Sequence, residues 1–155
     1  MNFRNGACRL PVLLVISGTI LGCAACASQG THSLGLIDGK LGPCPDSPNC
    51  VCSEYEDRVS HVGPLSFTGD FQSAWKNARE AVLDIGGNIE KETDGYLRAT
   101  FTSRLFRFVD DLELRMDKAN HNIHIRTASR IGYSDLGVNR KRVQNLRKIF
   151  NGKNN

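Results

Sequence analysis

The stretch NIEKETDGYLRATFTSRLFRFVDDLELRMDKANHNIHIRTASRI, residues 88–131, decides the fold because its apolar residues recur at every second position. This period is typical of half-buried β-strands. The pair Asp94-Gly95 is a strong signal for a two-residue hairpin turn, and a second polar turn lies around residues 118–122. The stretch therefore predicts an antiparallel meander of four strands, with one solvated and one buried face.

Alternation assigns one side of each predicted strand to the core. The inward positions are Leu97, Ala99, Phe101, Ser103 and Leu105, then Phe106, Phe108, Asp110, Leu112, Leu114 and Met116, then Ile123, Ile125, Thr127, Ser129 and Ile131. Asp110 stands out because a buried carboxylate needs a partner or a proton. It is either a polar anchor in a small ligand pocket, a satisfied core or strand-end carboxylate, or the sign of a bulge that shifts the register.

Two helices flank the predicted meander. Asp70 stands at the N-cap of the first and Gly86-Gly87 ends it, and its apolar face comprises Phe71, Trp75, Ala78, Val82 and Ile85. The second spans about residues 136–150 and turns Val143, Leu146 and Phe150 inward. A weak edge strand precedes the first helix at residues 61–67. The order β-α-β-β-β-β-α predicts an α+β domain, an antiparallel sheet packed with two helices, similar to a reduced helix-grip fold.

The N-terminus resembles a bacterial lipoprotein signal. Arg4 and Arg9 precede a short apolar run, and a small residue stands directly before Cys23. The run is too short for a spanning helix, which needs about 20 apolar residues. We expect Cys23 to become the acylated first residue of the mature protein. A plain signal peptide cut after Ala25 or Ala27 is the alternative.

These features predict the domain organisation and the location of the protein. We expect a signal peptide over residues 1–22, a lipidated tether over 23–42, a single α+β domain over 43–151 and a tail over 152–155. Ala24 after the anchor favours the outer membrane, with the domain on the periplasmic face of the cell envelope. Export excludes nucleic acid as the partner of the basic C-terminal half and leaves lipid headgroups, cell-wall polymers or an acidic protein surface.

The cysteines indicate a structural disulfide. In the loop Cys44-Pro-Asp-Ser-Pro-Asn-Cys50, two prolines bend the chain between the sulfurs, which predicts a Cys44–Cys50 bond in an oxidising compartment. Cys52 is a competing partner, or it pairs with Cys26. A metal site built from Cys44, Cys50, Cys52 and His61 lacks the paired C-x-x-C spacing, so neither a metal nor a cofactor is expected.

Three stretches together resemble the family known as domain of unknown function 1499, which occurs in bacterial envelopes and in chloroplasts. They are CPDSPNCV (44–51), FVDDLE (108–113) and RTASRIGYSDLGVNRKR (126–142). The resemblance covers about Gly42 to Phe150, and Cys52 stands where the family pattern has a serine. It implies no agreed activity, so it transfers no catalytic residue.

The turn at residues 132–137, before the second helix, is a candidate anion site. Backbone N–H groups at a helix start attract negative groups, and Arg130, Asn139 and Arg140 lie near in sequence. Alternatively, Asp135 is itself the anion, which caps the helix while Arg130 or Arg140 pairs with it. Ser134 does not match a hydrolase elbow, because the second glycine comes one residue late. The candidate ligand-binding residues are Asp110, Ser129, Arg130, Ser134, Asp135, Asn139 and Arg140, and no catalytic residue is expected.

The expected function is that of an envelope lipoprotein that binds an anionic or lipidic small ligand or a protein partner. Binding is favoured over catalysis. One alternative is a hydrolase that uses Asp110 and Asp111 as acid and base, although neighbours on a strand point to opposite faces. The other is a structural module of envelope assembly. A cavity reaching Asp110 favours the ligand binder, two carboxylates in one cleft favour the enzyme, and a solid core with an exposed apolar patch favours the structural module.

Overall fold

The computed structural model describes residues 34–56 and 59–154. The strands are β1 (Leu36–Ile37), β2 (Lys40–Leu41), β3 (Cys50–Cys52), β4 (Leu65–Ser66), β5 (Asn88–Thr93), β6 (Tyr96–Thr102), β7 (Val109–Asp117) and β8 (Asn122–Ser129), and the helices are α1 (Phe71–Asp84) and α2 (Val138–Lys153). The predicted α+β order is confirmed from β4 onward. The predicted signal peptide, Cys23 and Cys26 lie outside the described residues.

One antiparallel sheet forms the frame of the domain. Its strand order is β3-β8-β7-β6-β5, and β4 also pairs with β8. The predicted hairpin is confirmed, since Thr93 of β5 pairs with Tyr96 of β6 across the Asp94-Gly95 turn. Gly95 has a φ of +77°, a left-handed conformation that such a turn requires and that glycine adopts without strain.

The two helices pack side by side on one face of this sheet. The Asp70 carboxylate accepts the Ser73 N–H at 2.8 Å, which caps α1 and lowers the pKa of Asp70. After α1 the chain must turn sharply, and a side chain at Gly87 would lie within 3 Å of Val82 and Phe101. The second helix begins two residues later than predicted because Leu136 and Gly137 both have left-handed φ angles.

The core lies between the sheet and the helices. It is made of fully buried apolar side chains from both layers, among them Leu97, Leu112, Leu114, Ile123 and Ile125 of the sheet and Ala78, Val82, Val143, Leu146 and Phe150 of the helices. Neither helix of the described part has the length and apolarity that crossing a bilayer demands.

The second face of the sheet is also covered, so the prediction of one solvated face is wrong. Glu113 is fully buried on this face, where its carboxylate accepts from the Tyr96 hydroxyl at 2.7 Å, the Gly35 N–H at 2.7 Å and the Arg126 guanidinium at 3.1 Å. The hairpin β1–β2 packs across it and buries Leu41. Charged residues occur at alternate positions on this face because they pair with one another. Such pairing gives a buried face the sequence pattern of a solvated face.

Residues 103–108 form a loop, which corrects the prediction that they continue two strands. The Ser103 N–H donates to the Phe108 carbonyl at 2.8 Å, and the Phe108 N–H donates to the Ser103 hydroxyl at 2.9 Å. These bonds close the loop, in which Arg107 has a φ of +57°. Of the positions predicted to face the core, Ser103, Leu105, Phe106 and Phe108 are therefore exposed, and so is Ile131, which lies beyond the end of β8.

Candidate functional site

Two loops meet at one end of the sheet and form the most unusual surface of the described residues. The first, residues 103–108, joins β6 to β7, and the second, residues 130–137, joins β8 to α2. The Arg130 N–H donates to the Val109 carbonyl at 3.0 Å, which holds the two loops side by side. We call this pair of loops the loop tip.

Large apolar side chains of the loop tip are exposed to solvent. Leu136 is 94% exposed, Leu105 79% and Tyr133 76%, and Phe106, Ile131 and Phe108 follow. The Phe106 and Phe108 rings stack with their centroids 5.5 Å apart. Scattered single apolar residues are ordinary on a protein surface, whereas a contiguous patch marks an interaction site.

Two residues of the loop tip hold strained backbone conformations. Leu136 has a φ of +54° and Arg107 a φ of +57°, where their Cβ atoms crowd the following carbonyl. Glycine would remove this strain of about 1 kcal/mol at either position. Strain at exposed side chains is expected where those side chains serve an interaction rather than stability.

The loop tip is basic. Its two loops contain Arg104, Arg107 and Arg130 against a single carboxylate, that of Asp135. Arg130 binds Asp111 through two bonds of 2.8 Å, and this pairing raises the pKa of the guanidinium. Arg104 and Arg107 have no ion-pair partner in the described part of the chain. Their charges therefore face solvent.

A buried polar network anchors the loop tip from below. Asp110 is ion-paired with Arg142 of α2 at 2.6 Å, and the same guanidinium lies 4.4 Å from the centre of the Phe101 ring. Asn139 is fully buried, accepts from the Thr127 hydroxyl at 2.6 Å and donates to the Ser129 hydroxyl at 3.1 Å. Asp110 is thus a satisfied carboxylate.

Although Gly137 is the N-cap residue of α2, the helix is capped, as the second interpretation of the turn predicted, by Asp135. Its carboxylate accepts from the Gly137 N–H at 2.9 Å and the Asn139 N–H at 2.8 Å. The helix N-terminus is consequently occupied by the protein's own anion. Neither predicted arginine pairs with Asp135, since Arg130 binds Asp111 and Arg140 donates to the carbonyls of Val59 and His61. The Ser134 hydroxyl accepts the Leu136 N–H at 3.3 Å.

A cleft of about 420 Å³ opens beside the loop tip. It lies between the start of α2, which supplies Asp135, Gly137 and Arg140, and the loop before β3, which supplies Asp46 and two prolines. The predicted Cys44–Cys50 disulfide is confirmed and closes that loop. Cys52 is a buried free thiol, and burial raises its pKa.

The structure thus brings the sequence-predicted residues to one end of the molecule, although it divides them by role. Asp110, Ser129 and Asn139 belong to the buried network, Arg130, Ser134 and Asp135 to the loop tip, and Arg140 to the cleft. Two features of this end were not predicted from the sequence: Arg142, the partner of Asp110, and the exposed apolar loop. The consecutive apolar pair Leu105-Phe106 was the available signal, because strict alternation fails there.

The described residues contain no group of histidine, cysteine and carboxylate side chains arranged to hold a metal ion. Comparison with proteins of curated function gives no significant match. A family model described as "Protein of unknown function (DUF1499)" matches residues 40–150, which include the sheet from β3 to β8, α1 and nearly all of α2. The chain therefore belongs to the DUF1499 family.

Proposed function

We propose that this protein is a lipid-anchored binding module of the cell envelope that works through its loop tip. The observation that carries the proposal is the group of exposed apolar side chains on two neighbouring loops, among them Leu136 with its left-handed φ of +54°, at one end of a domain with a closed core. A solid core combined with an exposed apolar patch favours a module that binds a surface or a partner.

The arrangement of the carboxylates supports binding over hydrolysis. Asp110 and Asp111 are neighbours on β7 and point to opposite faces of the sheet, where Arg142 and Arg130 pair with them. An acid–base pair needs two groups that reach one substrate atom, with one of them able to carry a proton. These two carboxylates share no cleft, and each is held by a guanidinium.

A small-ligand function is the second candidate, and the cleft beside the loop tip favours it. Its volume of about 420 Å³ falls within the usual range of ligand sites. Its lining includes the carboxylate of Asp46 and that of Asp135, which already accepts two backbone N–H groups, while its one arginine, Arg140, already donates to backbone carbonyls. A ligand rich in hydrogen-bond donors suits this lining better than an anion. Mass spectrometry of the natively extracted protein tests this: a bound small molecule lost in D46N supports it, and an empty protein refutes it.

Photo-crosslinking in cells tests the function proposed for the loop tip. Benzoylphenylalanine replaces Phe106 in the full chain, and the matched control carries it at Phe71, an exposed phenylalanine at the opposite end of the sheet. We expect adducts with lipid or protein at position 106 and at most weak adducts at position 71. Equal or absent crosslinking at position 106 would refute the proposal.

The lipid anchor at Cys23 has its own test. The substitution C23S should abolish acyl labelling of the protein in cells and release it from the membrane fraction. Acyl labelling that persists in C23S would show that the anchor assignment is mistaken.

A further inference from the structure

We infer that the surface bound by the loop tip is an anionic lipid bilayer. This rests on the proposed function, since it names the partner of the same surface. It assigns an anionic lipid chemistry to that partner, an orientation to the domain and a headgroup-binding role to Arg104 and Arg107.

The shape and composition of the loop tip match the boundary between lipid headgroups and acyl chains. Its apolar side chains are carried on two neighbouring loops at the end of the sheet, and Leu105 and Leu136 are among the most exposed of them. Tyr133 adds a ring with a polar end, which suits a boundary that is apolar on one side and wet on the other. Interfacial segments typically bury such side chains about 5–10 Å into the membrane surface.

The charge of the loop tip complements acidic headgroups. Arg104 and Arg107 alternate with the apolar residues in the sequence Arg-Leu-Phe-Arg-Phe, so the two kinds of side chain share one short loop. Lys141 adds a further exposed charge in the first turn of α2. The one carboxylate of the two loops, Asp135, is bound by the amides of α2 and does not offset them.

Gly35, near the start of the described residues, lies close enough to the loop tip for a lipid at Cys23 and the loop tip to contact the same membrane. The Gly35 N–H is bonded to Glu113 of β7, four residues from the start of that strand and hence roughly 13 Å from the loop tip. Roughly ten residues separate Cys23 from Leu34, and an extended chain of that length spans at most roughly 35 Å. A lipid at Cys23 therefore leaves the loop tip within reach of the same bilayer.

Tryptophan fluorescence in anchored protein tests this inference. Trp75 is the single tryptophan of the chain, so F106W in a W75F background reports on the loop tip alone. Full-length protein is reconstituted through its own anchor into vesicles of phosphatidylcholine, with or without phosphatidylglycerol, that contain brominated acyl chains. We expect the bromine atoms to quench F106W strongly when phosphatidylglycerol is present. The control F71W in the same background should remain unquenched.

Replacement of Arg104 and Arg107, which have no ion-pair partner in the described part of the chain, makes this test quantitative. Each basic residue near an anionic surface contributes a factor of about five, so R104Q/R107Q should lower the insertion equilibrium about 25-fold. The same variant should make little difference in pure phosphatidylcholine.

The outcomes separate this inference from the proposed function. An unquenched F106W overturns the bilayer assignment, and so does quenching that ignores both phosphatidylglycerol and the arginines. If position 106 still crosslinks to a protein in cells, the loop tip remains a binding surface with a protein partner. A crosslink between two copies of this chain would likewise replace the bilayer by a self-interface.

Discussion

At the residue scale, Leu136 is a position in the loop tip that lowers the stability of the folded domain. A leucine that is 94% exposed and has a φ of +54° gains little from burial and carries about 1 kcal/mol of backbone strain. The interaction surface that we propose would account for both features, because the side chain would then contact a partner that the isolated domain lacks.

Replacement of Leu136 by glycine should leave the domain as stable or more stable. Relief of the left-handed strain offsets the extra backbone entropy of glycine, each about 1 kcal/mol. The matched control is L83G, the same change at an exposed site inside α1, which should cost about 1 kcal/mol. Urea unfolding measures both, and a loss in L136G as large as that in L83G would show that Leu136 supports the fold.

Glu113 is the residue on which the second face of the sheet depends. In E113A, Arg126 remains buried without its partner, which should lower the free energy of unfolding by about 3–5 kcal/mol. E80A removes a glutamate of an exposed pair with Lys153 and should cost less than about 1 kcal/mol. Chemical denaturation compares them, and similar losses would contradict the buried role of Glu113.

At the element scale, helices and strands with a regular spacing of apolar residues can be predicted from the sequence, whereas a loop that interrupts such spacing cannot. The spacing of Phe71, Trp75, Ala78 and Val82 located α1 to within a residue, and Asp94-Gly95 located the hairpin. The loop at residues 103–108 was missed because its apolar residues resemble a buried strand when only alternation is considered. The consecutive pair Leu105-Phe106 breaks that alternation, but the left-handed φ of Arg107 within the loop has no counterpart in the sequence pattern.

The disulfide loop before β3 is an element that a short crosslink holds in place. Closing the seven-residue loop 44–50 with the Cys44–Cys50 bond is worth about 2 kcal/mol by chain entropy. The variant C44S/C50S should lose about that much stability in thermal or urea unfolding. Peptide mapping under non-reducing conditions provides the control, and a Cys44–Cys52 crosslink in the wild type would contradict the assigned pairing.

At the scale of the whole molecule, two carboxylates that accept hydrogen bonds in the folded state make the fold sensitive to acid. Hydrogen bonds from Asn120 lower the pKa of Asp117, and the Ser73 amide lowers that of Asp70. Because these pKa values lie below those of the unfolded chain, their stabilisation is complete above about pH 4 and is lost as the pH falls through the folded-state pKa values.

The free energy of unfolding should therefore stay level from about pH 7 to about pH 5 and decline below about pH 4. The variant D117N should show a shallower decline, since it lacks one of the carboxylates that must be protonated. Urea titrations at several pH values measure this, and an unchanged pH profile in D117N would exclude Asp117 from the acid response.

The two ends of the sheet differ in the residues that they expose to solvent. The hairpin end is closed by the Asp94-Gly95 turn and the start of α1, whereas the loop end carries the exposed apolar residues, the free arginines and the cleft. The candidate site was thus predictable in its location, through Arg130, Ser134 and Asp135. Its apolar character was not, because it depends on which loop residues the fold leaves uncovered.

Hydrogen–deuterium exchange on the full chain in its native membranes tests most directly whether the loop tip is the working surface. Amides at residues 104–107 and 131–136 should exchange markedly more slowly in membranes than after detergent extraction, while amides at the hairpin end exchange equally in both. Equal exchange of the loop tip in the two states would contradict the account.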